Sequence, residues 1–412
     1  MEKTESTTNI KLKTMENVSE RVSSLAISQT LEMSKKSREL QAKGFDVINL
    51  SVGEPDFNTP QHIKDAAIKA INDNYSHYSP VPGYPELLKA ISAKLKRENN
   101  LDYATDQIVV SCGAKHSLAN VILSLVNKGD EVIIPAPYWV SYIEMVKLAE
   151  GKSIEVPTTI DNDFKITPEQ LQKAITSKTK VLFLCSPSNP TGSLYSKDEL
   201  KAIAEVVAKA KNDIYIISDE IYEHINFIGK HESIAQFDFI RDKVIIVNGV
   251  SKGYAMTGWR IGYIAAPKWI AKACDKIQGQ TTSGASSISQ MASVAALNSD
   301  SSCITEMVSA FKRRRDLVIS LVKEIKGLQY NIPDGAFYLF PKASYYFGKS
   351  DGKTTVHNAN ELCLYLLENA HVALVPGCAF GSPDYIRFSY ATSDEKLVEA
   401  MKRLKTALDK LK

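Results

Sequence analysis

Long apolar runs are missing from this sequence, and no stretch approaches the roughly 20 residues of a membrane-spanning helix. That absence argues against a helical membrane protein. An excess of charge of one sign is missing too: 50 basic residues against 47 acidic ones leave a formal net charge of +3. A balance this close argues against a dedicated nucleic-acid or membrane-surface binder. Cysteine is sparse and unpaired. The six are Cys112, Cys185, Cys274, Cys303, Cys363 and Cys378, and none forms a C-x-x-C pair. They read as reduced, mostly structural thiols of a cytoplasmic protein, with no zinc or iron–sulfur site. Residues 1–20 lack an apolar segment, so no secretory signal is expected, and Glu2, Glu5 and Glu16 argue against a transit peptide. This stretch reads as a polar extension. Internal repeats and low-complexity linkers are also absent.

What is there is an ordinary soluble composition, 44% hydrophobic and 24% charged, over 412 residues. That length suffices for one large domain or two. Strand-like runs fall at 107–111, 131–134, 153–156, 181–185, 214–218, 244–247 and 261–265. Amphipathic helical patterns lie between them, at 116–126, 167–175, 197–210 and 288–296. Apolar strands alternating with helices predict an α/β fold, a mostly parallel sheet covered on both faces. The C-terminal part differs. A long helix is expected over 304–325, strands over 336–340, 372–375 and 386–389, and helices over 360–369 and 394–410. This pattern suggests a smaller α+β domain. The segment 28–43 is helical and is expected to pack with it. The expected division is an N-terminal arm over 21–55, a large domain over 56–305 and a small domain over 306–412.

Chemistry-bearing residues collect at strand ends, where open α/β sheets bind ligands. Lys252 follows the strand 244–247 and its Asn248-Gly249 turn, among the small residues Ser251, Gly253, Ala255 and Gly258. Such a loop leaves room for a flat ligand. The amine can form a Schiff base with an aldehyde cofactor, and Arg260 can hold a phosphate. An ordinary solvated lysine fits the same local sequence. Gly113-Ala114-Lys115 opens a helix, whose N-terminal N–H groups suit an anion. Asn189 stands between Pro187 and Pro190, which restrict its backbone. Asp219 follows the strand 214–218 and suits a protonated ring nitrogen, with Tyr222 close by; capping the next element is the plainer role. Trp139 can stack on a ring or fill the core. Arg387 is the lone charge in an apolar strand, and needs a substrate carboxylate or a structural ion pair.

Together these residues resemble the fold-type I pyridoxal-phosphate enzymes, and among them the class I/II aminotransferases. The resemblance runs from about residue 22 to the C-terminus. Its most specific parts are Ser251-Lys252-x-x-x-Met256-x-Gly258-Trp259-Arg260-x-Gly262, Ser186-Pro-Ser-Asn-Pro-Thr-Gly192 and Ser218-Asp-Glu-Ile-Tyr222. The bacterial aspartate aminotransferase subgroup is the most similar. Val52-Gly-Glu-Pro-Asp-Phe57, the run from Tyr78 to Leu87, Pro137-Tyr-Trp-Val-Ser-Tyr142 and Arg387-Phe-Ser-Tyr-Ala-Thr392 carry that likeness.

The resemblance implies a role for each residue. Lys252 holds pyridoxal 5'-phosphate covalently and later moves the substrate's α-proton. Asp219 keeps the ring nitrogen protonated, and Asn189 and Tyr222 bond the ring's phenolic oxygen. Trp139 stacks on the ring. Gly113, Ala114, Lys115, Ser251 and Arg260 surround the phosphate, and Tyr78 reaches the phosphate of a second subunit, which makes a homodimer obligatory. Arg387 grips the α-carboxylate beside Gly53, Trp139 and Asn189. Ser28, Thr30 and Lys115 stand where the subgroup holds a side-chain carboxylate. Members that also use prephenate tend to carry Lys-Pro just before that serine; Ala26-Ile27 stand here. The frequent Ser or Thr three residues before the lysine is Gly249.

The implied activity is transfer of the amino group of L-aspartate to 2-oxoglutarate. Aromatic, alanine or kynurenine specificity on the same fold is the alternative, and a lyase a more distant one. A cofactor-sensing regulator of this fold would carry a DNA-binding domain ahead of the match, and residues 1–21 show no helix-turn-helix pattern.

Overall fold

The computed structural model describes residues 18–27, 29–300 and 302–412. Seven strands make the main sheet: β1 (Ile108–Ser111), β2 (Glu131–Ala136), β3 (Lys152–Pro157), β4 (Thr179–Cys185), β5 (Tyr215–Asp219), β6 (Val244–Gly249) and β7 (Gly262–Ala265). Their order is β1-β7-β6-β5-β4-β2-β3. Only β7 runs against its neighbours; the other pairings are parallel.

The inner strands are largely apolar because both faces are covered, whereas the edge strand β3 carries Lys152 and Glu155 and is partly exposed. Neighbouring side chains point to opposite faces. Ile108, Val110, Leu182, Ile216 and Ile246 enter one core, and Val109, Val181, Phe183, Ile217 and Ile245 the other. Helix α1 (Gln29–Ala42) lies apart from this sheet. The second core receives α2 (Ala114–Leu125) through Leu118, Val121 and Ile122, and α3 (Lys268–Thr281) through Ile270, Ala271 and Cys274.

A further core gathers α4 (Ser302–Val322), α5 (Ala359–Ala370) and α6 (Asp394–Leu408) around a three-stranded antiparallel sheet. Its strands are β8 (Tyr338–Leu339), β9 (Val375–Pro376) and β10 (Ile386–Ser389), in the order β9-β10-β8. Met33 of α1 and Ile48 and Leu50 join this core. The N-terminal segment thus shares a core with the C-terminal module. Ile48–Asn49 pairs in parallel with Val372–Ala373.

Two expectations differ from the structure. The strand expected over 372–375 splits, because Val372–Ala373 pairs with the N-terminal segment while Val375–Pro376 pairs with β10. Helix α3 is absent from the helical patterns expected above, although its buried Ile270, Ala271, Cys274 and Gln278 form one face against Lys, Asp and Gln on the other. No described helix is long and apolar enough to cross a membrane.

The reversal of β7 shapes one edge of the sheet. Parallel strands present their C-terminal ends there, whereas β7 presents its beginning. Gly262 is paired with Ser111 on one side and Gly249 on the other. The loops after β1 and β6 and the approach to β7 therefore converge.

Candidate active site

That convergence builds an anion cradle. Gly113 precedes α2 with a φ of +85°, a left-handed value that favours glycine. A Cβ there would lie 2.2 Å from Arg260 Nη2, so the missing side chain is what admits the guanidinium. Arg260 itself has a φ of +58° and donates from Nη1 to Thr257 O at 2.8 Å. The first turn of α2 carries no acidic residue and no side-chain cap, which leaves N–H groups for an anion. At Gly262 a Cβ would lie 2.1 Å from Ala114 N; at Gly249 it would lie 2.7 Å from Ile261 O. Gly249 thus occupies a place with no room for a side chain.

Beside the cradle lies a cavity of about 280 Å³. Lys252 is half-buried in its wall and donates to Gly53 O at 2.5 Å. Burial lowers its pKa to about 8, against the attraction of Glu54 and with the repulsion of Arg387 and Arg260. Asp219 ends β5 on the cavity floor. Its Oδ2 accepts from Tyr142 Oη at 2.6 Å, and its Oδ1 from Ile221 N at 3.2 Å. Burial raises the Asp219 pKa to about 6, and the Tyr142 bond opposes the shift. Asp219 caps no helix, since a turn follows it.

Arg387 is 2% exposed. It donates to Asn189 Oδ1 at 3.0 Å and to Ser51 O at 2.7 Å, and its Nε has no partner. Its guanidinium lies over the rings of Tyr338 and Phe380. Among the described residues no carboxylate pairs with it, so the structural ion pair does not exist there. A buried, unpaired guanidinium is costly unless an anion arrives. Tyr222 is buried, and its hydroxyl lies 2.7 Å from that of Tyr338. Trp139 is half-buried with Lys115 Nζ 5.0 Å from its ring centre; it lines the cavity and also packs against the second core.

Gly53, Ala114, Lys115, Trp139, Asn189, Asp219, Tyr222, Ser251, Lys252, Arg260 and Arg387 thus meet at one cavity, with Gly113 behind Arg260. Thr30 joins them from the first turn of α1. Ser28 lies outside the described residues. Tyr78 is the exception. It is 97% exposed and lies in a separate surface hollow with His77 and Ser287. Three further residues carry weight without any assigned role in the sequence: Tyr142, Tyr338 and Ser51. The first sits inside a quoted motif. The other two act through contacts 116 and 336 residues away in sequence, which no local pattern shows.

Residues 46–404 match the family described as aminotransferase class I and II. The chain belongs to the aminotransferase class I and II family. It has that family's fold-type I architecture, and the family's cofactor is pyridoxal phosphate. Similar aminotransferases include a bifunctional aspartate aminotransferase and glutamate/aspartate-prephenate aminotransferase of Petunia hybrida. It is 48% identical over 96% of this chain and 84% of its own length. An aspartate aminotransferase of Bacillus subtilis is 46% identical, over 95% of this chain and 99% of its own. The crystal structure of the aspartate aminotransferase from Rhizobium meliloti superposes with a TM-score of 0.93 at 42% identity. It covers 96% of this chain and 100% of its own.

The donor set fits the family's cofactor. The cradle of Gly113, Ala114, Ser251 and Arg260 suits a phosphate, and a Cβ at Gly113 would fill it. Asp219 offers a buried carboxylate and Lys252 an amine lowered toward neutrality.

Proposed function

We propose that this aminotransferase transfers the amino group of L-aspartate to 2-oxoglutarate, as a homodimer with shared sites that uses pyridoxal phosphate. When bound, that cofactor supplies an aldehyde that joins amines and a ring that accepts the electrons left by a departing α-proton. Lys252 would tether the cofactor, and its free amine would carry the proton from the substrate's α-carbon. A lysine lowered to about 8 is a usable base near neutral pH. Asp219, kept from water, pairs with a protonated ring nitrogen, and Tyr142 fixes its orientation. Asn189 and Tyr222 would hydrogen-bond the ring's phenolic oxygen. Arg387 takes the α-carboxylate through its fork.

Arg387 is the observation that carries the reading: a buried cation without an anion, in the same cavity as Lys252 and Asp219. Lys115 offers a second cation at the cavity beside Thr30, which supports a dicarboxylate. Tyr78 would serve a second subunit, a reading that its exposure on its own chain supports. The boundaries 21–55, 56–305 and 306–412 belong to the same proposal and are supported by the separate cores.

Steady-state assays over a panel of amino acids, with 2-oxoglutarate as acceptor, test the reading. Parallel double-reciprocal lines with aspartate as the best donor are expected, because both half-reactions use one site. Phenylalanine or alanine turned over as well as aspartate would overturn the specificity. Ala26-Ile27 lead us to expect prephenate to be a poor acceptor beside 2-oxoglutarate in the same assay, although the Petunia relative is named for prephenate as well.

A further inference from the structure

Gln278 and Gln290 are both fully buried, and neither belongs to the cavity. Gln278, on α3, uses its whole amide. Its Nε2 donates to Val81 O and to Val110 O, both at 2.8 Å. Its Oε1 accepts from Ser111 Oγ at 2.7 Å and from Asn120 Nδ2 at 3.0 Å. Val110 and Ser111 end β1 just ahead of Gly113, and Asn120 lies on α2. Val81 belongs instead to the loop that presents Tyr78. Gln290 grips the same loop further along. Its Oε1 accepts from Tyr84 N at 2.8 Å, and its Nε2 donates to Ser79 Oγ at 3.0 Å. Val110 N also donates to Pro82 O at 2.9 Å, which lays the loop along β1. Close packing leaves little slack: a Cβ at Gly83 would lie 3.0 Å from Val110 Cγ2, and one at Gly284 2.2 Å from Ser79 Oγ. The loop is therefore bonded at Ser79, Val81, Pro82 and Tyr84, while the side chain of Tyr78 projects free at 97% exposure.

We propose that Gln278 is a positioning residue that couples the two active sites of the dimer. One amide joins the anion cradle of its own chain, through Ser111 and Asn120, to the loop that lends Tyr78 to the other chain's cofactor phosphate. A buried amide with every donor and acceptor used has one favourable orientation, so displacement at one end is felt at the other. The inference rests on the shared-site reading of Tyr78 given above.

Hybrid dimers separate the two. A wild-type chain is co-expressed with a differently tagged Lys252→Ala chain, so that only the wild-type chain holds pyridoxal phosphate covalently and gives its visible absorbance. The rate at which that absorbance leaves the hybrid dimer, held on a resin by its tag, for a trapping excess of cofactor-free protein in the wash is the readout. Adding Gln278→Met to the Lys252→Ala chain should speed the loss about tenfold, the ratio set by ~1.4 kcal/mol of lost positioning. Every residue of the absorbing chain is then native, so the effect must cross the interface. If Gln278→Met prevents assembly, Gln278→Glu serves the same comparison: it keeps the acceptor toward Ser111 and Asn120 and removes the amide donors to Val81 and Val110. Tyr78→Phe in the Lys252→Ala chain is the reference. Faster loss with Tyr78→Phe and unchanged loss with the Gln278 variant overturns the coupling and leaves the shared site standing. Unchanged loss with both overturns the shared site, and the coupling with it.

Discussion

Lys252 and Asp219 are ionisable groups held where water is scarce, and each moves toward its neutral form. Burial brings Lys252 to about 8 and Asp219 to about 6. Only the neutral amine attacks an aldehyde. Recapture of pyridoxal phosphate by the cofactor-free protein should thus speed up as pH rises through about 8, followed by visible absorbance. A midpoint near the ordinary lysine value of 10.5 would mean that the amine is solvated. Lys252→Ala should show no such absorbance at any pH. Asp219 has the opposite sign in stability. Between its unfolded value of 3.8 and its folded value of about 6, the native protein binds more protons than the unfolded chain. Stability therefore falls as pH rises through that window, and the buried carboxylate stays costly above it. Asp219→Asn keeps an acceptor for Tyr142, gives up the one for Ile221 N and removes the charge. The cofactor-free variant should melt above wild type at pH 7 by an increment on the order of 2 kcal/mol in stability. The gap should close below about pH 4. A melt showing the wild type more stable at pH 7 would contradict the assignment. Placing a destabilising charge where the reaction uses it is a common exchange of stability for function.

At the scale of elements, the antiparallel β7 and its glycines decide how closely the cradle loops approach. Gly262 faces backbone, not a flexible side chain: its Cβ would meet Ala114 N at 2.1 Å and Gly113 C at 2.5 Å. Gly262→Ala must push β7 away from the start of α2. The expected result is at least a tenfold loss of retained pyridoxal phosphate after dialysis, with far-UV circular dichroism close to wild type. Retention equal to wild type would show that the cradle tolerates a wider spacing. The motif containing Gly262 is visible in the sequence, but the reason for a glycine there is not. It follows from pairing with Ser111 and Gly249, more than a hundred residues away on one side and thirteen on the other. The direction of β7 is hidden for the same reason, since an apolar run of four residues reads alike either way.

Across the whole molecule, the segment 51–59 ties the two cores to the site. Ser51 O holds Arg387, Gly53 O holds Lys252, and Glu54 Oε2 accepts from Thr257 Oγ1 at 3.0 Å. Thr59 Oγ1 donates to Ala255 O at 2.7 Å and accepts from Trp259 Nε1 at 3.0 Å. Asp56 takes both Nη atoms of Arg314, at 2.7 and 2.9 Å, and the Arg314 side chain is only 8% exposed. Asp56→Ala leaves that guanidinium with Asp394 alone, 3.5 Å away. A loss of about 2–3 kcal/mol in denaturant unfolding is expected. KM should rise for both aspartate and 2-oxoglutarate, because one segment serves Arg387 and Lys252 together. An unchanged KM would confine Asp56 to stability.

Much of this site was legible because the chemistry sits at strand ends, and strand ends are marked locally. Apolar runs stop at Ser111, Cys185, Asp219 and Gly249, and the turn residues after them include Gly113, Asn189, Tyr222 and Lys252. Periodicity and turn chemistry are short-range properties, so the linear pattern carries the sheet, most of its helices and the family, and it names the candidate residues that line the cavity. The tertiary structure alone decided which partners those residues have. Arg387 could have had an ion pair, and Trp139 could have been core alone; each is resolved only when strands distant in sequence lie side by side. Tyr142 under Asp219, Tyr338 against Tyr222, and Gln278 between the cradle and the Tyr78 loop depend on contacts 77, 116 and 168 residues apart or thereabouts. Hydrogen bonds and burial are set by the environment a side chain reaches, and a linear pattern holds no record of it.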